Sequence, residues 1–439
     1  MALPLSWRKS KRSLGQRGTQ PLDLTKATVW ILGAGCTRNY SDSASVQASL
    51  QNLKPPLQRD FFKMAEIVLR EIKRHITVSP ESHSMRLLYE LRHFYPSTYW
   101  ESTKDFWNGR PERLLSRDAP DLESIMTALD LYLDCGWATA GTLETEQGWQ
   151  SVGHSSLLLR MEDRERFINL LLLTVAASLA GNACAFHARL ASIMKKGDVV
   201  VSFNYDTLID EALVRERRLG LPSYGIDFGA LVDLKRRKYL PTNRLLWGAA
   251  PVMLLKLHGS LNWATCSVCS TAVIDPVTAE SACSYSQAVW KFAMDTVSRY
   301  GSHDEVFMSP DWLLEIDRGR WSLCPVCSSS LRSIVIPPLL NKRFSPARFL
   351  VPWYLANRAL RTAQNIIIIG YSLPSTDYHA RLLLSAPQEP QSVVVVNVEP
   401  AAGGRVRAAL RMTENPVVLS PRDFVGRFCS DNGGMRVPK

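Results

Sequence analysis

Short runs of apolar, largely β-branched residues punctuate the chain at 28–32, 199–203, 252–257, 366–369 and 393–396. Within each run successive positions are apolar instead of alternating with polar ones. Strands buried on both faces read this way, and they predict a parallel sheet covered by helices. Between the first two runs the apolar spacing changes to three and four residues, as over 64–72 and 164–194, with Pro and Gly breaks near 96–120 and 141–153. This predicts a mainly helical insertion over 65–195. The longest apolar stretch, 170–180, contains Thr174 and Ser178 and falls short of the ~20 residues a membrane span needs, so it reads as a buried helix. No repeat is visible, which argues against a solenoid. The expected fold is a doubly wound α/β sheet over 27–425, with a flexible basic extension at 1–26 and a short tail at 426–439.

Composition narrows the class. Of 439 residues 46% are hydrophobic and 21% charged, the balance of a folded protein and not of a disordered one. Lys and Arg exceed Asp and Glu by 52 to 41, a net charge of +11 that would attract the phosphates of a nucleotide or nucleic acid. The basic residues are scattered, 235–238 being the densest run, and direct nucleic-acid binding has no motif behind it. The N-terminal basic residues are followed by no apolar core of a secretory signal, so a cytoplasmic protein is expected. In that compartment nine cysteines do not form a disulfide framework, and their spacing needs another reason.

Polar residues gather just after the apolar runs, where open α/β sheets bind ligands. The first run ends in Gly33-Ala34-Gly35, a turn that would let the Ala34, Cys36 and Thr37 amides approach a pyrophosphate, although a plain tight turn would use the same glycines. Arg38 stands where a dinucleotide fingerprint has its third glycine, which disfavours an ordinary nicotinamide dehydrogenase. The second run leads to Asn204 and Asp206, and Asp206 also suits a cap on a helix starting at Leu208. After the third, His258 precedes Gly259 and is a candidate base. Gly370 and Ser372 follow the fourth and suit phosphate or ribose, while Asn397 and Glu399 follow the fifth and suit adenosine. Cys266-x-x-Cys269 and Cys324-x-x-Cys327 are two short thiolate hooks fit for a closed, structural zinc site. The stretch between them far exceeds the ~15–20 residues usual in such ribbons, so the expected zinc module, 264–333, must contain an excursion.

Taken in order, Gly33-Ala34-Gly35, Phe203-Asn204-Tyr205-Asp206, Leu257-His258-Gly259-Ser260, the cysteine hooks, Gly370-Tyr371-Ser372 and Asn397-Val398-Glu399-Pro400 resemble a sirtuin. The resemblance implies a Rossmann-like, sirtuin-type domain with NAD as substrate and zinc on the four cysteines. It implies that His258 is the catalytic histidine, that Asn204 and Asp206 line the nicotinamide and ribose pocket, and that Gly33, Ala34, Gly35 and Thr37 hold phosphate. The deacylases' Gly-Ile-Pro-Asp-Phe-Arg and Phe-Gly-Glu segments are missing. Arg38-Asn39-Tyr40-Ser41-Asp42 with Pro55-Pro56-Leu57, and Ile334-Val335-Ile336-Pro337-Pro338-Leu339, stand instead. The nearer resemblance is to bacterial antiphage-defence proteins that hydrolyse NAD. It implies nicotinamide and ADP-ribose as products, a homo-oligomer, and a partner ATPase or nuclease subunit. A protein deacylase and a noncatalytic NAD or ADP-ribose sensor are the alternatives.

Overall fold

The computed structural model describes residues 23–40, 50, 53–75, 122–134, 142–145, 148–151, 161–216, 219, 222–233, 238–240, 252–277, 284–301, 312–321, 323–336, 347–374, 377–387, 390 and 392–428. The extension before residue 23 and the tail beyond 428 lie outside these, as do 76–121 of the helical insertion.

The first strand, β1 (Thr28–Leu32), runs directly into helix α1 (Ala34–Tyr40). Helices α2 (Phe61–Lys73) and α3 (Leu122–Asp134), the hairpin β2 (Thr142–Thr145) and β3 (Gly148–Ser151), and helices α4 (Met161–Ser178) and α5 (Ala185–Ile193) follow. Strand β4 (Val199–Ser202) leads to α6 (Leu208–Arg215), then β5 (Ala230–Asp233), β6 (Lys238–Leu240) and β7 (Met253–Lys256). The cysteine region contributes β8 (Gly259–Cys266), β9 (Ala272–Ile274), α7 (Tyr285–Gly301), α8 (Trp312–Arg320) and β10 (Leu331–Val335). The chain then alternates: α9 (Leu350–Thr362), β11 (Asn365–Ile369), α10 (Tyr378–Leu384), β12 (Ser392–Val396), α11 (Ala401–Ala409), β13 (Val417–Leu419) and α12 (Pro421–Phe428).

Six strands form one sheet in the order β13-β12-β11-β1-β4-β7, and every neighbouring pair is parallel. The runs are apolar at successive positions because both faces are covered. Trp30, Leu32, Val200, Leu254, Ile367, Ile369, Val394 and Val396 point into one core, with α2, α3, α4 and α5. Val29, Ile31, Val201, Leu255, Ile366, Ile368, Val393 and Val395 point into a second, closed by Ala356 and Leu360 of α9, Leu383 of α10 and Val406 of α11. Buried Asp198 ties the lower ends of two strands together, accepting from the Thr28 amide at 3.1 Å and from Trp30 Nε1 at 3.0 Å.

The strand order is that of a doubly wound α/β fold. From β1 the chain builds outward through β4 and β7, then returns to β11 on the other side of β1. Ligands in such sheets bind where this reversal opens a crevice at the carboxyl ends of the strands. A second, five-stranded sheet, β10-β8-β9-β5-β6, carries the cysteine hooks. The excursion between the hooks is helical: α7 and α8 pack on each other and on α4 of the insertion. Among the described residues no helix is long and apolar enough to cross a membrane.

Candidate functional site

At the reversal the backbones of two strand tips touch. The Gly33 amide donates to Ile369 O at 3.0 Å and the Gly35 amide to Gly370 O at 2.8 Å. Gly370 has φ +64, and a Cβ there would lie 1.9 Å from the Cys36 nitrogen, so only glycine fits. Of the three amides expected to face an anion, that of Cys36 donates to Gly33 O at 2.8 Å. Ala34 is exposed at the start of α1, and Thr37 is buried one turn further on. Beneath the turn Cys36 Sγ lies 3.6 Å from His187 Nε2, and burial pushes this thiol up, which removes it as a nucleophile.

Thr37 links the glycine turn to the next strand tip. Its hydroxyl accepts from Asn204 Nδ2 at 3.1 Å and donates to Asp206 Oδ2 at 2.7 Å. All three side chains are buried, at 3% exposure for Thr37, 6% for Asn204 and 4% for Asp206. The other Asp206 oxygen accepts from the Leu208 amide at 3.1 Å; the N-cap of α6 is Thr207, not Asp206, so the carboxylate binds the first amide of the helix from one residue further back and also faces Thr37. Asn204 Oδ1 is buried with no hydrogen-bond partner among the described residues. A buried amide oxygen left this way is costly, and an incoming donor would relieve it.

His258 sits in an aromatic cage. The rings of Phe203, Tyr205 and Trp353 lie 5.2, 6.0 and 6.2 Å from it, centroid to centroid. Phe203 stacks on Tyr371 at 4.5 Å, and Trp353 Nε1 donates to Leu257 O at 3.0 Å, which fixes its ring beside the histidine. Gly259 has φ +83, and a Cβ there would come 2.3 Å from Ile334 O. The glycine therefore lets β10 cross directly over the histidine, where the Ile336 amide donates to His258 O at 2.9 Å. Of the Ile-Pro-Pro segment, only Ile336 lies within the described residues.

The remaining strand tips are bound to the protein itself. Asn397 Nδ2 donates to Tyr371 O at 3.3 Å, and its Oδ1 accepts from the Glu399 amide at 3.0 Å. Arg405 of α11 holds Glu399 by both oxygens, at 2.9 and 2.7 Å, and reaches the carbonyl of exposed Ser372 at 2.6 Å. The guanidinium hydrogen bonds hold the Glu399 carboxyl below its ordinary value.

Further contacts around the strand tips form only through folding. Glu123, on α3 of the insertion, is only 3% exposed and accepts from Gln58 Nε2 at 2.7 Å. With Asp377, which accepts from Tyr371 Oη at 2.6 Å, it bears on the Tyr205 and Tyr371 phenols. Burial first, then these two carboxylates, push both phenols up. Arg38, the residue in place of the third glycine, pairs with Asp60 at 2.6 Å and donates to Pro55 O at 2.7 Å. It thereby holds the Pro55-Pro56-Leu57 segment against α1. Aromatic and acidic residues that meet only through folding leave no spacing to find.

The four cysteine sulfurs lie within 4.8 Å of one another, Cys266 with Cys327 at 3.4 Å and Cys269 with Cys324 at 3.5 Å. Zinc–sulfur bonds of ~2.3 Å in a tetrahedron set sulfurs about 3.8 Å apart, so the group fits zinc. The two hooks repeat one backbone design. The Ser270 amide donates to Cys266 O and the Ser328 amide to Cys324 O, at 3.0 and 2.9 Å, and both serines take positive φ, +61 and +59. Hydrogen bonds from Thr271 draw the Cys269 thiol down to about 6, while burial pushes Cys324 up to about 11. Four thiolates leave no open position for substrate, so such a metal would be structural.

No known protein family matches the sequence, and no curated protein matches it. Among solved structures the chain is similar to Sir2 enzymes. One, from work on the mechanism and regulation of Sir2 enzymes, aligns at 12% identity and a TM-score of 0.30, covering 60% of this chain and 76% of that one. Another, from work on sirtuin substrate affinity, aligns at 12% identity and a TM-score of 0.32, covering 93% and 94%. A third is Sir2 with the inhibitor EX-527, 2′-O-acetyl-ADP-ribose and a deacetylated p53 peptide, at 12% identity, a TM-score of 0.28 and coverage of 88% and 91%. The residues of this chain, not these alignments, carry the reading that follows.

Proposed function

We propose that the chain is a sirtuin-like NAD glycohydrolase. The observation that carries this reading is the chain Asn204–Thr37–Asp206, which joins the glycine turn at the β1–β11 reversal to buried polar side chains at the end of β4, next to the β7 end that carries caged His258. Among the described residues Asn204 Oδ1 is an unused acceptor, suited to the carboxamide donor of nicotinamide. Gly33, Ala34, Gly35 and Thr37 take the pyrophosphate side, and Gly370, Ser372, Asn397 and Glu399 the adenosine side. Because Asn397 and Glu399 already have protein partners, their part is to shape the adenosine edge more than to exchange bonds with it.

In the reaction the bond between nicotinamide nitrogen and ribose C1′ breaks, and nicotinamide leaves with the bonding electrons. A water oxygen bonds to C1′, giving ADP-ribose, and its proton passes to His258 and then to solvent. Asn204 and Asp206 orient the ribose and the water, while the Asp206 carboxylate favours the cationic sugar. The aromatic rings around His258 exclude bulk water, which strengthens these interactions. Zinc on Cys266, Cys269, Cys324 and Cys327 supplies no chemistry and fastens the second sheet. The biological role in keeping with this reading is NAD depletion in antiphage defence, by a homo-oligomer acting with an ATPase or nuclease subunit.

Chromatography of products from purified protein and NAD, with and without acetylated peptide, tests the proposal. Nicotinamide and ADP-ribose in equal amounts, independent of peptide, are expected. Acyl-ADP-ribose formed only with peptide would make the chain a deacylase, and binding without cleavage would make it a sensor. Loss of infected-cell NAD with wild-type protein, but not with Asn204→Ala, would support the defence role.

A further inference from the structure

Next to the candidate site lies a fully buried ion pair that the proposed reaction does not use. Lys256, the last residue of β7, and Asp210, in the first turn of α6, have side chains at 0% exposure and meet at 2.9 Å. Lys256 Nζ also donates to the backbone carbonyl of Asp206, and the second Asp210 oxygen accepts from Tyr224 Oη at 2.8 Å. Leu255 and Leu257 face one core, so Lys256 occupies a position on the other face, the one that apolar Leu254 also faces. Taking both charges out of water costs more than their attraction returns unless the geometry is specific, and apolar pairs of similar volume are often as stable. Stability alone does not account for a lysine here.

The connectivity does. Lys256 is two residues before His258, and Asp210 is four residues after Asp206. The lysine thus grips the turn carrying Asn204 and Asp206 twice, once by its backbone and once through α6. Strand contacts run alongside, with the Leu257 amide donating to Ser202 O at 2.9 Å and the Leu261 amide to Tyr205 O at 2.8 Å. They align the backbones, but among the described residues it is Lys256 that reaches the Asp206 carbonyl.

We infer that Lys256 and Asp210 form a positioning clamp that fixes the Asn204–Asp206 turn against the strand bearing His258. The inference rests on the proposed function for its catalytic consequence and on the fold for its structural one. The test compares wild type, Lys256→Arg and the double variant Lys256→Met with Asp210→Leu. The expected result is a double variant that melts like wild type, with kcat down about 10²-fold, KM little changed, and faster hydrogen exchange at the Asn204 and Leu208 amides. Lys256→Arg keeps the charge and a donor and is expected to restore part of kcat. A folded double variant with wild-type kcat and exchange would overturn the clamp, as would a double variant that does not fold, since the pair would then serve stability. If wild-type protein does not cleave NAD, the proposed activity fails, and the exchange rates alone decide whether the clamp exists.

Discussion

Replacing Thr37 by Val tests the link between glycine turn and pocket with almost no change in volume. The hydroxyl at 2.7 Å from Asp206 Oδ2 and 3.1 Å from Asn204 Nδ2 disappears, leaving a buried carboxylate oxygen and a buried amide donor without it. Asp206 keeps its bond from the Leu208 amide, so one charge-assisted and one neutral bond are lost, not the whole network. At about 1–3 kcal/mol for each orphaned group, discounted for that remaining bond, the variant is expected to lose about 2–4 kcal/mol of stability. Its effect on turnover is expected to be of similar size, about 10²-fold or about 2.7 kcal/mol of barrier, because both freed side chains would line the reacting centre. Thr37→Ser retains the hydroxyl and is expected to remain within a few-fold of wild type. Thermal melting with intrinsic Trp fluorescence, paired with nicotinamide release from NAD, reads both effects. Thr37→Val with wild-type release rates would refute the role given to this hydroxyl, whatever its melting temperature.

Other outcomes follow from single contacts. Metal analysis is expected to find one zinc per chain, lost in Cys324→Ser; an unchanged zinc content would reject the four-cysteine site. Gly259→Ala would place a methyl group 2.3 Å from Ile334 O at φ +83, so it is expected to melt well below wild type, and equal melting would contradict the close crossing of β10 over His258. Arg405 holds the Glu399 carboxyl below its ordinary value, so the pair stabilises the fold above the unfolded value and that contribution fades as pH falls through the folded one. Titrating Glu399 by NMR should therefore give a higher pKa in Arg405→Ala than in wild type, and an unmoved value would remove Arg405 as the cause.

The sheet was legible because its strands announce themselves: Ile366 to Ile369 and Val393 to Val396 are apolar at every position since both faces are buried. Strand β13 escaped notice because its run, Val417–Leu419, is too short to differ from a loop residue by residue. The cysteine hooks were legible as ligands, and the long gap between them proves to hold α7 and α8, whose packing on α4 follows from tertiary contact and not from local pattern. At the pocket, Asn204, Asp206 and His258 stood out as polar groups at strand ends. The hydroxyl joining two of them did not, since Thr37 and Asp206 are 169 residues apart. Glu123 was hidden for the same reason, being one acidic residue on a helix with no motif around it. The sequence places Gly259 beside His258 but does not reveal that its missing side chain leaves room for the backbone of β10. Asn397 and Glu399 were read as ligand contacts, and what the sequence could not reveal is that each already has a protein partner.

We propose that His258 and Asn204, at the carboxyl ends of neighbouring strands β7 and β4, cleave NAD with water. The most direct test is the rate of nicotinamide release from NAD alone by wild type, His258→Ala and Asn204→Ala, each shown by melting to be folded. Steady release by wild type and none above background from either folded variant are expected. Wild-type release by a folded His258→Ala protein, or no release by wild type itself, would contradict this proposal.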